Sequence, residues 1–171
     1  DGRSDMTGEQ RPLVGMVAVG SRYFDALGVR MLRGRAFQAT DGEPGREAMI
    51  INQRLADMHF RGEDPVGKRI RLINDGNIPG APKFYAATVV GVSPTIRQRS
   101  MERDPDPVVY ITHGQNALMA MSANLLVRAR DNPVVVTSQL RQEISSMDPD
   151  VPVTNIRTMD QILARNRWPQ R

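Results

Sequence analysis

Apolar runs in this chain are short, and Gly, Pro, Asn or Asp closes almost every one of them. "LVGMVAVGS" (13–21), "EAMIIN" (47–52), "KRIRLI" (68–73), "FYAATVVGV" (84–92), "VVYIT" (108–112) and "ANLLVRAR" (123–130) each have strand length and are rich in Val, Ile and Leu. None approaches the roughly 18 consecutive apolar residues of a membrane span, and no signal peptide opens the chain. Between the runs lie turn chemistry, as in "DGEPG" (41–45), "NDGNIPGAPK" (74–83) and the three-proline stretch "SPTIRQRSMERDPDP" (93–107), and a few helical patterns. The expected fold class is therefore α+β, with short helices and a mixed or antiparallel sheet.

The helices are marked by their ends. Ser21 is placed to cap "RYFDALG", where Phe24 and Leu27 share a face and Gly28 stops the turn. Asn52 is placed to cap a helix from Gln53 to Phe60. Asn132, with Pro133 at the first helical position, opens a helix whose Val136, Leu140, Ile144 and Met147 fall at helical spacing. "PDVPVTNIRTM" then reads as extended, and "DQILARNRW" begins a last helix. "KRIRLI" and "FYAATVVGV" form a long hairpin across 74–83, while 123–159 reads as strand, helix, strand.

At 171 residues, with 40% hydrophobic and 25% charged content, the chain is long enough for one domain or two small ones with a real core. It has no cysteine, which excludes disulfides, Cys-ligated zinc and a thiol nucleophile. The net charge is +4, and the excess is Arg spread along the chain. Aromatics are 5% and do not cluster with the cations, so no nucleic-acid partner is expected.

"RGEDPVGKRI" (61–70) comes close to the spacing of a nucleotide-binding phosphate loop. Its chemistry is wrong. Arg69 stands where a Ser or Thr would hold magnesium, Glu63 and Asp64 would repel a phosphate, and Pro65 has no N–H to donate. Its flanks run helix, loop, strand, the reverse of the required order. Gly62, Asp64, Pro65, Gly67 and Lys68 are instead expected to form a structural turn.

His59 and His113 are far apart and lack ligand-spaced partners. Asp41 with Glu43, and Asp104 with Asp106, lie among Gly and Pro, where Asp serves backbone hydrogen bonding rather than acid/base work. No residue is assigned a catalytic, cofactor-binding or metal-ligating role. Met119 and Met121 in "GQNALMAMS" fit either an adaptable apolar contact or a loop folded over the core. Arg165, Arg167 and Arg171 around Trp168 fit either a juxtamembrane segment or a solvated tail.

Taken in order, "VAVGSRYFDALGVRMLRGRAF", "EAMIINQRLADMHFRGEDPVGKRIRL", "ATVVGVSPTIR", "DPVVYI", "LLVRARDNP" and "ISSMDPDVPVTNIRTMDQIL" resemble the extracytoplasmic core domain of MacB-type, FtsX-like ABC transporter permeases. The resemblance runs from about Val17 to the end. It implies a flexible arm at 1–16, a small α/β-rich subdomain at 17–123, one βαβ unit of a porter-like subdomain at 124–166, and a juxtamembrane tail at 167–171. A strand-helix-strand unit that precedes this region in the family is expected to lie outside the chain. It implies no enzyme activity and no cofactor. The expected location is the extracytoplasmic, periplasmic side of a cell membrane. Implied partners are the permease's own membrane helices, a cytoplasmic ATPase domain or subunit acting indirectly, a periplasmic partner protein or substrate, and a second copy in the intact transporter. Contacts are expected in the loops 74–83, 93–107 and 113–122. The alternative from another class is a free-standing enzyme or small-ligand-binding domain, which would need a pocket with converging polar groups.

Overall fold

The computed structural model describes residues 13–73, 84–96, 106–115, 124–130 and 133–167, and its chain divides into two compact units, Asp1–Leu126 and Val127–Arg171. The first unit is built on a six-stranded mixed sheet. Its strands are β1 (Gly15–Val19), β2 (Arg33–Gly34), β3 (Ala48–Asn52), β4 (Arg69–Ile73), β5 (Phe84–Ser93) and β6 (Val108–Thr112), in the order β1-β6-β3-β5-β2 with β4 also on β5. β1 runs parallel to β6 and β3 parallel to β5, whereas β3 with β6, β4 with β5 and β2 with β5 are antiparallel.

The two central strands, β3 and β6, are buried at all five positions, as unbroken runs of Ile, Val and Met allow when both faces are covered. One face gathers Met49, Ile51, Leu55, Ala87, Val89, Val92, Val109 and Ile111; the other gathers Val19, Phe24, Phe37, Ile50, Val108 and Tyr110. On β5, Ala87 and Val89 share a face with Val92, an odd-to-even switch. The cause is a bulge: Met49 pairs with Val89 but Ile50 pairs with Gly91, leaving Val90 as the extra residue.

Two short helices cover the faces. α1 (Tyr23–Leu27) buries Phe24, whose ring meets Tyr110 edge-on at 5.0 Å, and ends at Gly28 in the left-handed conformation, φ 70. Its N-cap is Arg22, with no capping side chain, so the Ser21 cap expected from sequence does not form. α2 (Gln53–His59) buries Leu55 and Ala56 and is capped by Asn52, which accepts from the Leu55 N–H at 3.0 Å.

The second unit holds α3 (Pro133–Met147) and α4 (Met159–Arg167). On α3, Val136, Leu140 and Ile144 are half-buried while Met147 is 83% exposed. α4 opens with a reciprocal cap: Gln161 N–H donates to Thr158 Oγ1 at 3.2 Å, and Thr158 N–H donates to Gln161 Oε1 at 2.9 Å. The strand expected over 123–130 is not formed among residues 124–130, where Leu125 and Val127 are exposed and no ladder partner lies among the described residues. A strand exists only with a neighbour to take its backbone groups, and apolar spacing alone does not supply one. Residues 152–158, expected to be extended, likewise form no ladder among the described residues, and Asn155 within them turns the backbone at φ 56. The Asn132 cap, Met119, Met121, Asp104, Trp168 and Arg171 lie outside the described residues.

Candidate functional site

The segment that looked most like a ligand loop is a connection between α2 and β4. Asp64 Oδ1 accepts from Val66 N–H at 3.1 Å, and Lys68 N–H donates to Pro65 O at 3.1 Å, so an Asx turn runs into a β-turn. Gly62 and Gly67 take φ 77 and 85, and Pro65 is fully buried. Gly67 N–H then donates to Val89 O at 2.8 Å and Val89 N–H donates to Lys68 O at 2.9 Å, which fixes where β4 joins β5. The Lys68 ammonium is held by Glu63 and sits 5.6 Å from the centre of the Phe60 ring. The lysine of the apparent phosphate loop is thus neutralised from within the loop.

Beside this turn lies an open groove of about 590 Å3, with Arg33, Asp57, Phe60, Arg61 and Glu63 on its walls. Its carboxylates are engaged locally: Asp57 accepts from Gln53 Nε2 at 2.5 Å, and Glu63 holds Lys68. A smaller hollow of about 230 Å3 is bounded by Arg35, Asp41, Arg46, Glu47 and Arg69. There Arg35 and Asp41 form a two-pronged pair at 2.6 and 2.9 Å, and Gln38 N–H donates to Asp41 Oδ2 at 2.7 Å. The Arg35 guanidinium, bonded directly to it, holds the Asp41 carboxyl below the usual carboxylate range, helped by the Gln38 amide.

Asp41 is therefore engaged with Arg35, while Glu43 is exposed with Arg46 at 4.0 Å. Asp106 offers its backbone carbonyl to Asn52. His59 closes α2 and His113 opens a short 3-10 turn (His113–Gln115). Among the described residues, no group of His, Cys, Asp or Glu could hold a metal ion. Arg165 and Arg167 fall in the last turn of α4. Of the loops expected to make contacts, 74–83 lies outside the described residues and only parts of 93–107 and 113–122 lie within them.

Two polar junctions escape a local reading of the sequence. The Gln115 amide acts as a false strand residue: Oε1 accepts from Ala48 N–H at 3.1 Å and Nε2 donates to Ala48 O at 2.9 Å, continuing β3 where β6 has ended. Nε2 also donates to Thr112 Oγ1 at 2.8 Å, and Tyr85 Oη donates to Gln115 Oε1 at 2.5 Å. Burial, with the nearby Glu47 charge, pushes the Tyr85 hydroxyl up to about 12. The other junction is Asn52, fully buried, whose Oδ1 also accepts from Val108 N–H at 3.0 Å and whose Nδ2 donates to Asp106 O at 2.8 Å. Their partners lie 67 and 54 residues away, beyond any spacing rule.

Residues 2–147 match the MacB-like periplasmic core domain. Curated relatives named macrolide export ATP-binding/permease protein MacB, from Neisseria gonorrhoeae and Neisseria meningitidis, are 34% identical over 55 residues. That stretch is 32% of this chain and 8% of theirs, so the chain spans only a small part of the relatives' length. Among solved structures, the periplasmic region of MacB from Actinobacillus actinomycetemcomitans superposes with a TM-score of 0.50 at 17% identity, over 77% of this chain and 56% of that one. The extracellular domain of the transporter YknZ from Gram-positive bacteria gives 0.45 at 17% identity, over 77% and 64%. The mixed α+β fold is shared with the first of these, no helix among the described residues is long and apolar enough to cross a membrane, and the match covers most of the chain. The chain belongs to the MacB-like periplasmic core domain family, the extracytoplasmic module of ABC transporter permeases of this type.

Proposed function

We propose that this domain converts ATP hydrolysis on the far side of the membrane into movement at its outer surface, and so drives export or work on the cell envelope. The observation that carries this reading is the family match over residues 2–147. The domain's own contribution is mechanical: a sheet buried on both faces moves as one body, and transporter states differ in what that body touches. The parent permease's membrane helices would transmit the motion from a cytoplasmic ATPase domain or subunit. Arg165, Arg167, Trp168 and Arg171 would lie next to the membrane, and 17–123 and 124–166 would act as two subdomains. A periplasmic partner protein or the substrate would be met by the loops 74–83, 93–107 and 113–122. The relatives' name attributes macrolide export to those proteins, which makes small-molecule export the first activity to assay.

The test is made in the reconstituted parent permease with its ATPase. Replacing residues 17–166 by a flexible linker should abolish transport while leaving nucleotide binding intact. Transport that persists at the parent rate would end the reading.

A further inference from the structure

The sheet has two edges of opposite character. On one, β4 puts Arg69 and Arg71 at its exposed positions, β2 is two residues long, and Gly34 turns the chain at φ 66. Charges, short strands and kinks are what keep a sheet edge from pairing with another chain. On the other, β1 reads Gly-Met-Val-Ala-Val, with no charge, proline or bulge, and among the described residues no strand lies along its outer side. Val14, Met16 and Ala18 pack on one core face and Val17 and Val19 on the other. β1 thus has the composition of a central strand in an edge position, and Leu13 beside it is 91% exposed.

We propose that β1 pairs antiparallel with β1 of a second copy of this chain, about a twofold axis at Val17, so that two sheets become one. The sizes of the residues fit that register. Within β1, Gly15 would face Val19 of the second copy and Met16 would face Ala18, a bulky residue against a small one each time. Only Val17 meets itself. No charged pair arises between residues 13 and 21.

The backbone fits as well. Gly15 N–H donates to Pro107 O at 2.8 Å, and the alternation of a parallel ladder then commits Gly15, Val17 and Val19 to β6. The N–H and C=O groups of Met16 and Ala18 point outward. In the proposed register Met16 and Ala18 form the hydrogen-bonded pairs, while Val17 meets its counterpart as a close pair without hydrogen bonds, Cα atoms about 4.5 Å apart. A pair of five-residue strands buries less than a standard interface, so association is weak in free solution and strengthened wherever two copies are tethered together. The pairing is a property of β1 and does not depend on the transporter reading.

The test uses the chain's lack of cysteine, which makes every disulfide intermolecular. Val17→Cys places two sulfurs across the axis at bridging distance, whereas two copies of Leu13→Cys are kept apart by the register. Under mild oxidation Val17→Cys should form dimer on the order of tenfold faster than Leu13→Cys, despite the greater exposure of Leu13. Adding Ala18→Pro, which removes an outward N–H and no bond to β6, should return Val17→Cys to the Leu13→Cys rate. Equal rates for the two cysteines, or no effect of Ala18→Pro, in variants with the parent's circular dichroism would overturn the proposal. Sedimentation equilibrium of the unmodified chain is the second measurement: a dimer that Ala18→Pro dissociates supports the pairing, and a monomer at every accessible concentration refutes it.

Discussion

Gly34 and Gly91 face each other across β2 and β5 at a point where neither strand has room for a side chain. A Cβ on Gly34 would come within 2.3 Å of Val90 O, and one on Gly91 within 2.3 Å of Arg35 O. The contact exists because Val90 bulges: β5 bends, and β2 closes on it through Arg35 N–H donating to Val90 O at 2.9 Å.

Gly34→Ala and Gly91→Ala should each destabilise the first unit by about 1–3 kcal/mol, because the clash is with backbone that cannot step aside. Gly34→Ala carries the added cost of a side chain at φ 66. Urea unfolding measures both. A loss below about 0.5 kcal/mol, the level of an ordinary surface change, would show that the strands separate freely there.

Asn52→Ala should cost about 2–4 kcal/mol, more than a lost helix cap, because the Val108 amide and the Asp106 carbonyl lose partners in the same step. Amide exchange distinguishes this from simple fraying. Protection should fall at Val108 as well as at Leu55; loss at Leu55 alone would confine Asn52 to capping.

The Arg35–Asp41 pair gives stability a dependence on acid. Asp41 is held below the ordinary carboxylate range in the folded chain, so its contribution is present above about pH 4 and is lost as pH falls through the lower folded value. Arg35 is 41% exposed, so the pair contributes only about 1 kcal/mol. Asp41→Asn should lower stability by that amount at neutral pH and flatten part of the acid limb. An unchanged slope would mean Asp41 titrates normally.

Tyr85 gives a dependence on alkali. Its hydroxyl is pushed up to about 12 by burial first and by Glu47 second, so its contribution is complete below the unfolded value near 10 and declines as pH rises toward 12. Ultraviolet titration should find one tyrosine ionising near 12 that disappears in Tyr85→Phe. At neutral pH that variant should lose about 1 kcal/mol with the Gln115 bond. If the late transition survives the substitution, it belongs to another tyrosine.

The elements legible in the sequence were those whose signal is local. "EAMIIN", "VVYIT" and "FYAATVVGV" carry their strand character in composition, and the Asn52 cap and the Gly28 stop in single residues. Pairing was less legible. The β4–β5 hairpin follows from adjacency, but nothing near Gly15 announces a parallel partner at Val108. "VRMLRGRAF" gives only the two-residue β2, because the Gly34 turn and the Val90 bulge leave room for no more. Ser21 looked like a cap, yet the helix starts one residue later, at a place set by Phe24 packing on Tyr110. Gln115 and Tyr85 gave no signal at all, since a glutamine that replaces a strand residue is recognisable only when the strand it completes is in view.

The parallel register of β1 with β6 sets a schedule for synthesis. Gly15 meets Val108, 93 positions later (108 − 15), so β1 leaves the ribosome long before its only strand neighbour among the described residues. At about 5–20 residues per second the gap lasts roughly 5–20 s, while β3, β4 and β5 already have one another. During that interval β1 has no strand neighbour among the described residues, and its apolar run at 13–19 waits for β6 before the sheet can close on it.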